Sequence, residues 1–93
     1  MISAGSRPRL AAKARLRFDR RTERLLLLYP ERGLELNATA AEVVKLCTGA
    51  HTVRAIVDRQ TAAHDGAARD VVEREVLALL RRLARRGLLG EQA

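Results

Sequence analysis

Few residues of this 93-residue sequence have the types and spacing that catalysis or metal binding requires. The single cysteine, Cys47, falls on the apolar face of a predicted helix, where a thiol usually acts as a small apolar side chain. The two histidines, His51 and His64, are far apart in the sequence and have no partner that would orient them as bases. The sequence contains no glycine-rich phosphate loop and no serine–histidine–aspartate arrangement. It therefore predicts neither an enzyme nor a metal or other cofactor site.

The charge balance favours an acidic partner. Lys and Arg number 18 against 11 Asp and Glu, which gives a net charge of +7 at pH 7. Such a charge suits nucleic acid, an anionic membrane surface or an acidic peptide, although the 16 arginines also fit an ordinary solvated surface. The aromatic residues are Phe18 and Tyr29 alone, which argues against single-stranded nucleic acid held by base stacking.

No stretch of the sequence resembles a membrane-spanning or export segment. No unbroken apolar run is longer than that of residues 25–29, whereas a spanning helix needs roughly 20 residues. Residues 1–6 lack the apolar stretch of a signal peptide. We therefore expect a cytoplasmic protein that does not bind membranes, in which the lone thiol stays reduced.

The sequence divides into a flexible tail and one domain. Residues 1–9 contain Gly5, Ser6 and Pro8 and show no hydrophobic period, so we expect a flexible N-terminal tail there. Residues 10–90 show such periods throughout. With 47% hydrophobic residues the chain can bury one small core, and we expect a single domain over this range.

The first part of this domain predicts three strands. Apolar and polar residues alternate over residues 14–19, which indicates a strand with one face in water. Residues 25–29 form a second strand that is apolar on both faces. A turn over residues 30–33 contains Pro and Gly and leads to a short third strand over residues 34–36.

The period changes from that of a strand to that of a helix after Asn37. Thr39 and Glu42 match a capping box, with Asn37 as a competing cap, and Gly49 is placed to end this first helix. Thr52 caps a second predicted helix.

The third predicted helix is the longest. Residues 64–66 separate it from the second helix, and it covers residues 68–86 before Gly87. One apolar stripe of this helix should face the core: Val72, Val76, Leu79, Leu80 and Leu83. The order of elements predicts an α+β fold that is winged helix-turn-helix-like, a three-stranded antiparallel sheet followed by three helices (βββααα).

The third strand and the third helix together suggest a binding surface. The strand over residues 33–36 lacks the Pro or Lys that usually protects a sheet edge, so a peptide could pair with it as a further strand. The third helix carries more apolar and basic surface than core packing needs. We therefore predict a groove with an apolar floor and cationic walls. The alternatives are that the strand is too short to bind a peptide, or that the extra surface packs against residues 25–29.

Several segments in succession resemble the PqqD family. They are Leu27-Leu28-Tyr29-Pro30-Glu31, Leu36-Asn37 with Ala40-Ala41, Leu46-Cys47-Thr48-Gly49, Thr52-Val53, Ile56-Val57, Glu75-Val76, Leu79-Leu80, Leu83 and Gly87-Leu88-Leu89. The resemblance runs in the expected order from about Pro8 to Leu89. It implies a non-catalytic peptide chaperone of pyrroloquinoline quinone (PQQ) biosynthesis, which binds the ribosomal precursor peptide PqqA and presents it to the radical SAM enzyme PqqE.

The resemblance also implies where the peptide binds. PqqD is the namesake of the recognition domain (RiPP recognition element) found in many enzymes that modify ribosomal peptides. In that family the leader peptide adds to the third strand and rests against the third helix. The helix face is our inference from the helical wheel. The peptide-binding residues implied here are Gly33, Leu34, Glu35, Leu36, Val71, Arg74, Glu75, Ala78 and Arg82.

Other functions remain open at this point. Thr48, Glu75 and Leu79 depart from residues that are common in the family, so a domain that serves another peptide-modifying enzyme is one alternative. A DNA-binding winged helix is another, although Asp70 and Glu73 would repel phosphates from the start of the third helix. The unprotected third strand also allows a homodimer.

Overall fold

The computed structural model of the protein describes residues 2–30 and 32–91, which form five strands and three helices. In chain order these are β1 (Pro8–Leu10), β2 (Arg15–Asp19), β3 (Arg24–Tyr29), β4 (Arg32–Leu36), α1 (Ala38–Lys45), α2 (Val53–Ala63), α3 (Arg69–Arg85) and β5 (Leu89–Glu91). A three-stranded antiparallel sheet has the order β2-β3-β4, and β1 pairs with β5 in a separate two-stranded sheet. The fold is α+β, and three helices follow the three-stranded sheet as predicted.

The three-stranded sheet has one apolar inner face because its strands alternate apolar and polar residues. In the antiparallel register Leu16 lies opposite Leu27, and Leu27 lies opposite Leu34 on the other side. Leu27 is fully buried, and the two flanking leucines pack against the core. Glu31, in the predicted turn, lies outside the described residues, and β4 begins at Arg32, earlier than expected.

The apolar stripe of α3 covers the core as the helical spacing predicts. Val76, Leu80 and Leu83 are buried, and Val72 and Leu79 are half-buried against the same cluster. Most contacts of α3 with another helix are made with α2. Across the described residues, no helix has both the length and the apolar content that crossing a membrane requires.

The N-terminal segment differs from the expected flexible tail over residues 1–9. Met1 lies outside the described residues, but Ile2 is buried, and its carbonyl accepts hydrogen bonds from the guanidinium of Arg81 at 3.1 and 3.3 Å. Pro8 begins β1, whose partner β5 comes from the opposite end of the chain. The segment is therefore part of the packed unit, and the three strands expected become five in two sheets.

The same segment also caps α2. The N–H of Val53 donates to the carbonyl of Ser6 at 2.8 Å, and the N–H of Arg54 donates to the carbonyl of Ala4 at 3.0 Å. These are the first two residues of the helix, whose N–H groups have no acceptor within the helix itself. The N-terminal segment thus provides hydrogen-bond acceptors that the start of α2 requires.

Asn37, and not Thr39, caps the start of α1. The side-chain oxygen of Asn37 accepts a hydrogen bond from the N–H of Ala40 at 2.7 Å. Thr39 lies inside the first helical turn, so the predicted capping box of Thr39 and Glu42 is wrong. Glu42 instead lies 3.2 Å from the ring of His64.

Replacing Asn37 with Ala is expected to lower the free energy of unfolding by about 0.5–2 kcal/mol, since the helix loses its side-chain cap. Thr39→Ala is the matched control, because Thr39 lies two positions along the chain and makes no cap. We expect that control to change stability by less than about 0.7 kcal/mol. Urea unfolding of both variants measures the difference, and an equal or larger loss for Thr39→Ala would contradict the cap assignment.

The remaining predicted helix boundaries are mostly confirmed. Thr52 caps α2 by accepting a hydrogen bond from the N–H of Ala55 at 3.1 Å. α3 ends shortly before Gly87, whose φ of 72° favours glycine. Gly49 does not end α1 directly, because the helix stops at Lys45. Its N–H instead donates to the carbonyl of Pro8 at 3.0 Å, which joins the loop to β1.

Candidate functional site

β4 is an edge strand, because the sheet order β2-β3-β4 leaves one of its sides without a neighbouring strand in that sheet. Leu34 and Leu36 belong to the inner face, where Leu36 is buried and Leu34 is half-buried. Gly33 and Glu35 belong to the outer face, and the carboxylate of Glu35 lies 3.3 Å from the guanidinium of Arg24. The predicted strand residues therefore offer mainly their backbone groups to a peptide that pairs with this edge.

Gly33 allows a close contact across the sheet. It lies opposite Leu28, and a Cβ atom added at Gly33 would lie 3.2 Å from the Cδ2 atom of that leucine. A side chain at this position would thus require Leu28 to move by a few tenths of an ångström. The role of Gly33 that the structure explains is packing within the sheet.

A groove with a volume of about 510 Å³ lies among α1, the end of α2 and α3. Three predicted residues of α3 line it: Val71, Glu75 and Arg82. Arg74 and Ala78 are exposed and do not line it, so the predicted helix face is correct in part. The other lining residues are Asn37, Thr39, Ala40, Val43, Gln60, His64, Ala67, Ala68, Val72, Val76 and Leu79.

The open edge and the groove meet at Asn37. This residue directly follows β4, caps α1 and also lines the groove. The groove therefore adjoins the C-terminal end of β4, although Gly33, Leu34, Glu35 and Leu36 do not line it.

Several residues that line the groove were missed by the sequence analysis. Val43 comes from α1, and Gln60 comes from the end of α2, with His64 just beyond it. For Gln60 a signal was present, since it extends the buried stripe of Val53, Ile56 and Val57 by one further helical step. A glutamine at a core position is unusual and indicates either a hydrogen-bond partner or a binding role.

The groove does not have the cationic walls that were expected. Its lining residues include one carboxylate, Glu75, and one guanidinium, Arg82, alongside the imidazole of His64. Two other arginines of α3 have contacts elsewhere: Arg69 pairs with Asp58, and Arg81 donates to the carbonyl of Ile2. The basic surplus is therefore spread over the surface instead of being concentrated in the groove.

Cys47 is a structural residue in this fold. Its thiol is buried and donates to the carbonyl of Val43 at 3.4 Å. Burial raises the pKa of the Cys47 thiol to about 12, so it stays protonated near neutral pH and cannot act as a nucleophile there. The part of the chain that the structure describes also brings together no group of three His, Cys, Asp or Glu residues that could hold a metal ion.

The raised pKa of Cys47 predicts a loss of stability at alkaline pH. The unfolded chain releases the thiol proton near the ordinary pKa of 9.0, whereas the folded chain keeps it up to about 12. Between these values the free energy of unfolding should fall by up to about 1.4 kcal/mol per pH unit through this group. Urea unfolding of the native chain and of Cys47→Ala at pH 8, 9 and 10 isolates the effect. The same pH dependence in both proteins would contradict it.

Comparison with known proteins gives the chain a family. The sequence model of the family "coenzyme PQQ synthesis protein D (PqqD)" matches residues 24–89. The PqqA binding protein of Rhodopseudomonas palustris (strain BisB5) is 42% identical over 90 residues, which cover 97% of this chain and 87% of that protein. The PqqA binding protein of Bradyrhizobium diazoefficiens is 39% identical over the same length, with 97% and 86% coverage.

Solved structures have the same fold. The solution structure of the PqqD part of Methylobacterium extorquens PqqCD, a stand-alone RiPP recognition element, superposes with a TM-score of 0.82 at 34% identity and covers 97% of this chain and 95% of that one. Lasso peptide synthetase B1 in complex with its leader peptide has a TM-score of 0.78 at 22% identity, with 91% and 99% coverage, and shows the fold alone. On these matches to its sequence and its fold, the chain belongs to the PqqD family.

Proposed function

We propose that this chain binds the precursor peptide PqqA and presents it to the radical SAM enzyme PqqE in PQQ biosynthesis. The observation that carries the proposal is the open edge of β4, which leads through Asn37 to the groove beside α3. The names of the relatives, PqqA binding proteins at about 40% identity, support the same peptide class. The peptide-binding residues we propose are the strand residues Gly33, Leu34, Glu35 and Leu36 and the helix residues Val71, Arg74, Glu75, Ala78 and Arg82, with Arg74 and Ala78 beside the groove and not in it.

The binding step joins folding of the peptide to its recognition. A disordered peptide becomes a strand on β4, and its ordering cost holds the affinity to moderate values. Main-chain hydrogen bonds to the strand provide affinity, and the groove selects side chains. The net charge of +7 speeds the encounter with an acidic peptide more than it strengthens the final complex.

Presentation requires no chemistry from this chain. A peptide held on this surface has a raised local concentration at the enzyme that receives it. We therefore propose a non-catalytic, cytoplasmic accessory protein without a cofactor. We propose that residues 10–90 form its binding unit, to which the N-terminal segment adds contacts. We also propose that this unit is winged helix-turn-helix-like.

The same edge allows a second state of the protein. Two copies could pair through β4, and such a homodimer would cover the strand that the peptide needs. We propose that peptide and self-pairing compete. Sedimentation of the protein with and without peptide measures this competition, because added peptide should shift any dimer towards the monomer.

Titration calorimetry with a synthetic PqqA-type precursor peptide at moderate salt tests the proposed function. We expect saturable binding with a dissociation constant in the micromolar range or below. Duplex DNA at the same salt is the comparison, since DNA affinity carried by phosphate contacts falls steeply as salt rises. Salt-sensitive DNA binding without peptide binding would contradict the proposal. Binding of a different precursor peptide alone would retain the recognition role and reject PqqA as the ligand.

A further inference from the structure

Gln60 holds a buried polar atom that nothing in the described structure satisfies. The residue is 4% exposed and lies at the end of the apolar stripe of α2. Its side-chain oxygen has no hydrogen-bond partner among the described residues. Buried polar atoms are nearly always paired, because an unpaired one loses its bonds to water without replacement. Such an atom is therefore available to a hydrogen-bond donor of a bound ligand.

The position of Gln60 indicates where that donor would lie. The residue lines the groove beside α3, together with apolar side chains such as Val43, Val72 and Val76. A Leu or Met at this position would extend the apolar stripe of α2 without an unpaired oxygen. Since Gln60 lines the groove, its amide borders the space that a ligand would occupy.

A second acceptor lines the same groove. The carboxylate of Glu75 comes from α3, and none of the ion pairs among the described residues includes it. Two oxygen acceptors in a mainly apolar groove suit a long aliphatic side chain that ends in donors only, which describes Lys and Arg. Arg82 also lines the groove but follows Glu75 by seven residues on α3, about 10 Å along the helix axis, so the two oxygens are not opposed by a cation at the same level.

We propose that Gln60 is a specificity-determining residue, whose side-chain oxygen accepts a hydrogen bond from a Lys or Arg side chain of the bound precursor peptide. The aliphatic stem of that side chain packs against Val43, Val72 and Val76, and Glu75 provides the opposite charge. The inference rests on the proposed peptide-binding function and adds the chemistry of one side chain that the groove selects.

The test uses Gln60→Met, which keeps the length of the side chain and removes both polar atoms. Affinity for the synthetic PqqA-type peptide is measured by calorimetry, and the urea unfolding midpoint is measured without peptide. We expect affinity to fall about tenfold while the midpoint stays or rises, because the unpaired oxygen is gone. A purely structural glutamine would behave in the opposite way, with a lower midpoint and unchanged affinity, and that result would overturn the proposal.

Thr61→Val is the matched control on the same helix. The Thr61 hydroxyl donates to the carbonyl of Val57 at 2.8 Å, and Thr61 does not line the groove. We expect this exchange of a polar group for a methyl group of similar shape to leave peptide affinity unchanged. A tenfold loss in the control as well would assign the effect to α2 as a whole and overturn the role of Gln60.

The peptide provides the second half of the test. Each Lys and Arg of the peptide is replaced in turn by norleucine, and every variant is titrated into the native chain and into Gln60→Met. One replacement should weaken binding to the native chain about tenfold and cause no further loss with Gln60→Met, as expected of two groups in contact. If the native peptide binds but no Lys or Arg couples to Gln60, the inference fails and the proposed function stands. If the native peptide does not bind, the proposed function is contradicted, and the inference that rests on it is contradicted as well.

Discussion

A proline in β4 is expected to weaken peptide binding about tenfold or more when it replaces the residue whose N–H points to the open edge. Backbone N–H groups of successive strand residues point to opposite sides. One of Leu34 and Glu35 therefore faces the open edge, and the other faces β3. A proline at the open edge removes a donor that the peptide needs and leaves the pairing with β3 intact. Calorimetry with the PqqA-type peptide measures the loss, and circular dichroism checks that the helices persist.

The two proline variants, Leu34→Pro and Glu35→Pro, control for each other. The proline that faces β3 should lower stability, whereas the proline at the open edge should lower affinity. Leu34→Ala and Glu35→Ala keep the N–H groups and so measure the loss of each side chain, including the exposed contact between Glu35 and Arg24. Full affinity in both proline variants, each shown to be folded, would contradict binding by strand addition.

The sequence predicts the strands and helices whose hydrophobic pattern repeats within a short stretch of the chain. Apolar and polar residues alternate often enough over β2 to β4 to identify strands and their buried face. The helical spacing of Val76, Leu80 and Leu83 likewise identifies α3 and its buried face. β1 and β5 contain three residues each, too few to show a period. Their pairing joins Pro8 to Glu91 across nearly the whole chain, and no local pattern reports such a contact.

The candidate site could be predicted in outline, and its details depend on tertiary packing. Helical spacing identifies Val71, Glu75 and Arg82 as one side of α3, but it does not distinguish that side from the adjacent stripe of Arg74 and Ala78. The two stripes differ by a rotation of a fraction of a turn about the helix axis. Packing of α3 against α1 and α2 decides which stripe faces the groove.

The cap of α1 and the hydrogen bonding of Gln60 also could not be predicted from the sequence alone. Asn37 and Thr39 are both good capping residues, and the backbone conformation of Asn37, with φ −71° and ψ 170°, selects it. The position of Gln60 in an apolar stripe can be read from its spacing. Whether its oxygen finds a partner depends on neighbours from three helices, which only the folded chain defines.

Truncating Leu80 to Ala is expected to cause the largest loss of stability among the changes considered, about 2–5 kcal/mol. Leu80 is fully buried on α3, so the truncation removes apolar contacts and leaves a cavity in the core. A chain of 93 residues has a total free energy of unfolding of roughly 5–14 kcal/mol, so this loss is a large share of it. Urea unfolding followed by circular dichroism measures the change.

Val71→Ala on the same helix separates the core from the binding surface. Val71 is 42% exposed and lines the groove, so its truncation should cost less than about 1 kcal/mol of stability and should weaken peptide binding. Leu80→Ala should show the reverse, because its folded fraction keeps an unchanged groove surface. The two variants thus assign opposite faces of α3 to stability and to recognition. A loss of stability for Leu80→Ala no greater than for Val71→Ala would mean that α3 does not cover the core with this stripe.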